Sequence, residues 1–152
     1  MSSGASTFSA RLKKLTALID KSVEREVRAA GMAAAMEVIS RTPIKTGRAR
    51  SNWIASRFGA IPTIVIEGAN TKNVETNRSV ATVTALRNCA GTIKSWTTVM
   101  GSLLISNCVP YIFDLDDGTS GQARQGMTLF GIMAARRRLK QARLLSSSEV
   151  IT

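Results

Sequence analysis

Histidine is absent from this 152-residue chain, which removes the commonest general base and the commonest metal ligand together. Cysteine is nearly absent. Cys89 and Cys108 form neither a CxxC pair nor a zinc-ligand spacing. Two unclustered thiols fit a reducing compartment, and small buried hydrophobes are the plain reading of both. Aromatic residues are 5% of the chain against 44% apolar residues, so its core must be aliphatic and rich in Ala and Met. No stretch approaches the roughly 20 apolar residues of a membrane span. The opening MSSGASTFSARLKK has no apolar run ahead of a cleavage site, so the expectation is a soluble protein made in a cytoplasm. Acid is scarce too: 21 Lys and Arg face 10 Asp and Glu, a net charge of +11. Such an excess points to a polyanionic neighbour or a strongly charged assembly.

What is present fits one domain, residues 1–152, long enough to bury a real core. After a polar leader, Phe8, Leu12, Leu15, Ile19, Val23, Val27, Ala30, Ala34 and Val38 recur at spacings of three and four. They form one apolar stripe on a long helix. Unbroken to about residue 40, that helix would be roughly 50 Å long. It must cross a whole sheet or project onto another subunit. Its AAGMAAAM stretch is lined by small side chains that let another element approach, and Gly31 is a place for a kink. Pro43 ends the helix by restricting Thr42.

A turn over IKTGRAR leads to an expected strand at 52–58, a hairpin connection at 59–62 and a returning strand at 63–67. Residues 68–77 read as a mobile polar loop. Asn77 reads as the cap of a second helix carrying Val80, Val83, Leu86, Ala90 and Ile93, which Gly91 would end early. A third strand is expected at 99–107 and a last helix from about 125 to 145, with a frayed tail from 146. The fold class is α+β. The long N-terminal helix and the C-terminal helix pack on a small antiparallel sheet, with an inserted helix and loop region at about 70–96. Three short strands leave edges unpaired, which favours oligomerisation.

The chain is organised around LLISNCVPYIFDLDDGTSGQARQGMTLFG, residues 103–131. It runs from an apolar strand through a Pro110-Tyr111 corner into an acidic patch, then a polar loop that delivers the last helix. Asp114, Asp116 and Asp117 crowd three negative charges ahead of Gly118. In so basic a chain they call for a cationic partner, expected within residues 41–53 of this subunit or of a neighbouring copy.

TPIKTGRARSNW resembles the motif that follows the first helix in tail-completion (neck) proteins of long-tailed bacteriophages. NCVPYIFDLDDGTSGQARQGM is similar to that family's second motif. The matching positions are Thr42, Pro43, Thr46, Gly47, Arg48, Arg50, Asn52 and Trp53, then Asn107, Pro110, Tyr111, Gly118, Ser120, Gln122, Ala123, Gly126 and Met127. Lys45 stands where an acid is usual, Asp117 replaces or shifts a Glu, and Arg124 replaces a proline. The resemblance implies a virion component, a hexameric ring at the head–tail junction that joins the tail tube to the portal or connector as completion, adaptor or terminator protein. Genomic DNA would pass through its lumen without specific binding.

Against that frame, Arg48 and Arg50 read as partners of Asp114, Asp116 and Asp117 across a subunit boundary. The bland alternative is a solvated pair worth about 0–1 kcal/mol. Thr46, Gly47, Trp53, Tyr111 and Gly118 complete the expected subunit interface, with core packing as the competing role for Trp53 and Tyr111. Trp96, outside both motifs, reads as a satellite core residue. Arg136, Arg137, Arg138, Lys140 and Arg143 form a basic docking face on the last helix, for an acidic neighbouring ring first and DNA second. The aspartates lack an EF-hand spacing and a companion base, so no metal is expected. With no nucleophile–base pair and no phosphate loop, neither a cofactor nor an enzyme is expected. The alternative is a basic nucleic-acid-binding protein, supported by net charge alone because no recognition motif or stacking platform is present.

Overall fold

The computed structural model describes residues 3–63 and 65–142, with side chains from Ser6 onward. Helix α1 spans Ser3–Arg41, running without interruption through Gly31. It stops where expected: Thr42 donates from its backbone N–H and its hydroxyl to the Val38 carbonyl at 3.1 and 2.6 Å, and Pro43 cannot continue the ladder. A one-turn helix α2 (Arg48–Ser51) feeds strand β1 (Trp53–Arg57). Helix α3 (Val74–Ser95) follows, then a 3₁₀ turn at Thr98–Met100, strand β2 (Leu103–Asn107), a short helix α4 (Ile112–Asp116) and helix α5 (Thr128–Lys140).

The α+β class holds, with a sheet of two strands rather than three. β1 pairs antiparallel with β2, Trp53 opposite Asn107 and Arg57 opposite Leu103, and not with the expected return strand at 63–67. In that segment, Ile66 is held by a side chain instead: Asn52 donates to its carbonyl and accepts from its N–H, both at 2.6 Å. A side chain has taken the ladder's place, so no strand forms among the described residues there. Val99, expected in the third strand, lies in the 3₁₀ turn and is 85% exposed.

The second helix also differs from its reading. Asn73 is the cap, accepting from the N–H groups of Glu75 and Thr76 at 2.9 and 3.1 Å, and Gly91 does not end the helix. Its buried stripe is Asn77, Ala81, Ala85, Cys89 and Ile93, while Val80 and Val83 face outward. Small side chains let β1 approach closely: the Cys89 thiol donates to the Trp53 carbonyl at 3.4 Å. Burial pushes that thiol up to about 11, so Cys89 is an unreactive core residue, as the sequence indicated. Residues 70–96 thus supply part of the core.

The core joins α1 through Ala35, Val38 and Ile39 to Trp53 and Ala55 of β1, to Ala85, Cys89 and Ile93 of α3, and to Val109, Ile112 and Met127. Small residues set the distances. A Cβ on Gly31 would lie 2.6 Å from Leu103 Cδ2, and one on Gly131 would lie 2.6 Å from Val38 Cγ1. α5 packs chiefly along α1 rather than on the sheet. It runs antiparallel to α1, with Gly131 beside Val38 and Arg138 beside Glu26. Arg41 stacks over the Phe130 ring, 3.6 Å from its centre, a cation–π contact at the other end of the pair. Trp96 is buried, its indole N–H donating to the Gly101 carbonyl at 3.2 Å. Arg143 and the tail from 146 lie outside the described residues.

Candidate assembly interface

The two sequence motifs fold onto each other. Gln122 clamps the backbone of Ile44, accepting from its N–H at 2.9 Å and donating to its carbonyl at 3.1 Å. Asn107 donates to the Ala49 carbonyl at 2.8 Å and accepts from the Val109 N–H at 3.1 Å. Two side-chain amides, one at each end of the second motif, therefore fix the first motif in place. The loop after residue 67, read as mobile, is tied to the same corner. Asn70 N–H donates to the Thr46 carbonyl at 3.2 Å, and the buried Asn77 donates to Lys45 and Thr71 carbonyls at 3.0 and 2.9 Å.

Much of the charge that the sequence assigned to intersubunit pairing is committed inside the chain. Arg50 is buried. Its Nη2 donates to the carbonyls of Thr42 at 2.7 Å and Ser40 at 2.8 Å, its Nε to Thr42 at 3.1 Å, and its Nη1 to Thr82 Oγ1 at 3.2 Å. The guanidinium thus caps the last carbonyls of α1 and fastens them to α3, a use its planar fork suits. Burial and then the neighbouring Arg78 lower Arg50 to about 10, which leaves it charged at neutral pH. Trp53 is equally internal: its indole N–H donates to Thr42 Oγ1 at 2.7 Å, so it packs in the core of the single chain.

Asp116 has a structural partner as well. Its Oδ1 accepts from the backbone N–H groups of Met127 at 2.6 Å and Thr128 at 2.8 Å, placing a carboxylate at the start of α5. Burial alone would raise this carboxyl, but the Thr128 and Met127 donors outweigh it and hold the group below the ordinary carboxylate range. The turn is closed around it: Gly126 has φ 73°, and a Cβ there would meet the Asp116 carbonyl at 2.4 Å. Gly47, at φ 83°, starts α2, and Gly118, at φ 86°, lies against Arg124. Both are shape-setting positions.

The expected pairing of Arg48 and Arg50 with the aspartates within one subunit is therefore not what the chain adopts. Arg48 Nη2 pairs with Glu67 at 3.2 Å, a residue the sequence reading passed over. Thr46 Oγ1 lies 3.4 Å from the Arg48 N–H. Thr46, Arg48, Glu67, Tyr111, Leu115 and Gln122 line one open cleft of about 780 Å³. Beside it, Tyr111 is 37% and Phe113 78% exposed, with Asp114 exposed on α4 and Asp117 exposed just after it.

On α5, Arg138 Nη2 lies 2.9 Å from Glu26 Oε2. Arg136, Arg137 and Lys140 are exposed and hold no ion pair with a described residue. Among described residues, no helix is long and apolar enough to cross a membrane.

A family model described as "Bacteriophage HK97-gp10, putative tail-component" matches residues 6–87, more than half of the chain. Nothing matches among curated proteins or among solved structures.

Proposed function

The chain belongs to the HK97-gp10-like family of bacteriophage tail components, and from that premise we propose that it forms a ring at the head–tail junction, joining the tail tube to the portal or connector. Six copies is the number that the likeness to neck proteins implies. The observation that carries this reading is how side chains divide between bracing and display. Gln122, Asn107, Asn52, Arg50 and Asp116 brace one corner from within. Around that rigid corner Tyr111, Phe113, Asp114 and Asp117 stand exposed beside the Arg48 cleft. Preformed, rigid surface of this kind serves association, because little ordering cost remains to be met on binding.

The basic face of α5 is then the docking surface for an acidic neighbour in the stacked neck, carried by Arg136, Arg137 and Lys140. Arg138 already neutralises Glu26. Replacing Arg136, Arg137 and Lys140 together by Glu should leave folding intact and abolish joining of filled heads to tails. Normal virion yield from that variant contradicts the docking role. The same three exposed cations are what a nucleic-acid binder would present. In that case affinity for duplex DNA falls steeply with added salt, whereas a neck component assembles independently of DNA.

A further inference from the structure

Among the described residues, little packs on the first half of α1. Residues 6–21 have no buried member, and burial begins only at Ser22. Yet Phe8, Leu12, Leu15 and Ile19 fall on one face and remain 64%, 47%, 38% and 37% exposed. Four large apolar side chains in helical register are a docking face rather than scattered surface residues. Arg11 borders that face, while Lys13, Lys14 and Lys21 put further positive charge on the other sides of the arm.

The charges elsewhere narrow what this arm meets. Glu24, Glu26, Glu37, Glu67 and Glu75 each pair with an arginine, and Asp116 caps α5. Among the described acids, Asp20, Asp114 and Asp117 hold no side-chain partner. Asp20 lies on the arm itself. Asp114 and Asp117 flank the exposed Phe113, close to Tyr111. An apolar face on a basic arm and an aromatic knob edged with acids are complementary.

They do not meet within one chain. α4 is tied to the start of α5 by Asp116, and α5 begins its run along α1 near Val38. Residues 8–19 lie 19 to 30 positions earlier on the same helix, which at 1.5 Å per residue is about 30–45 Å away.

We propose that the N-terminal arm of α1 docks through Phe8, Leu12, Leu15 and Ile19 on the α4 knob of a second copy, Arg11 bordering the contact and the basic arm as a whole set against Asp114 and Asp117. Two unlike patches at opposite ends of one chain make a head-to-tail contact, and such contacts close into rings where like-to-like contacts stop at dimers. The inference rests on the ring reading above and assigns the contact that builds the ring.

The test uses the full-length chain and sedimentation velocity. The variant Leu12→Asp/Leu15→Asp breaks the arm, and Asp114→Arg/Asp117→Arg breaks the knob. All four positions lie outside the core, so unchanged melting midpoints verify that both variants fold. Wild type is expected to form a closed ring and each variant to be monomeric. Mixed at equal concentration, the two variants are expected to form a 1:1 heterodimer, since one supplies an intact arm and the other an intact knob. A ring that persists in the arm variant overturns the inference alone: the stripe is then solvated or covered by another part of its own chain. Monomeric variants whose mixture stays monomeric also overturn it, and a knob variant that still self-associates overturns it in favour of a like-to-like arm contact. A monomeric wild type instead refutes the ring reading itself.

Discussion

Replacing Arg50 by alanine separates a bracing role from an interface role. The substitution removes both bonds to the Thr42 carbonyl, one to Ser40 and one to Thr82. Thr42 is fully buried, so its carbonyl stays without a partner. Ser40 is exposed and its carbonyl regains water at small cost. A hydrogen bond from a charged donor contributes about 1.5–3 kcal/mol, and an orphaned buried acceptor carries a full desolvation penalty. The expected loss is therefore about 3–4 kcal/mol, a fall in melting midpoint of about 6–16 °C for a domain of this size. Arg50→Lys keeps a charge but not the fork, and should lose about half as much. Urea denaturation followed by circular dichroism, at a concentration where the chain is monomeric, measures both. An Arg50→Ala change within about 0.5 kcal/mol of wild type, together with lost assembly, would refute the bracing account and return Arg50 to the interface.

Other outcomes follow from the same contacts. Asp116→Ala removes the acceptor of two α5 N–H groups and should cost about 1–3 kcal/mol. The folded carboxyl titrates below its unfolded value, so its contribution is present above about pH 4 and disappears as pH falls through the folded value. Urea titrations at pH 7 and pH 3 should show the variant losing less stability on acidification than wild type. Gly126→Ala, at φ 73° and against the Asp116 carbonyl, should destabilise by more than 1 kcal/mol through strain; an unchanged midpoint would contradict the turn geometry. Gly131→Leu forces α5 away from Val38 and should lower the midpoint by at least as much as a typical overpacked core variant, about 1–3 kcal/mol.

The long first helix was readable in the sequence for a physical reason. A stripe from Phe8 to Val38 repeats often enough to declare its period, and Pro43 is a hard stop. One-turn elements such as α2 and α4 hold no repeat to detect. Residues 63–67 have strand-like composition, but composition reports fit to a pleated surface and not which partner takes the hydrogen bonds. Here Asn52 takes those of Ile66. In α3 the larger Val80 and Val83 suggested the wrong face, because close approach by β1 selects Ala81, Ala85 and Cys89. The charged residues were hardest to sort. Arg48 and Arg50 look alike in GRAR, yet Arg50 reaches inward to carbonyls while Arg48 reaches Glu67. Backbone carbonyls, the acceptors that hold Arg50, leave no trace in a sequence. The exposed arm was legible as excess helix length, and the acids proposed to receive it emerged only once Glu24, Glu26, Glu37, Glu67, Glu75 and Asp116 had their partners.

Electron cryomicroscopy of purified particles of the phage that encodes this chain tests the central claim most directly. The account predicts density for α1–α5 repeated around the tail axis between portal and tail tube, with each arm seated on its neighbour's α4. Particles whose neck contains no copy of this chain, or a single copy off the axis, would contradict it.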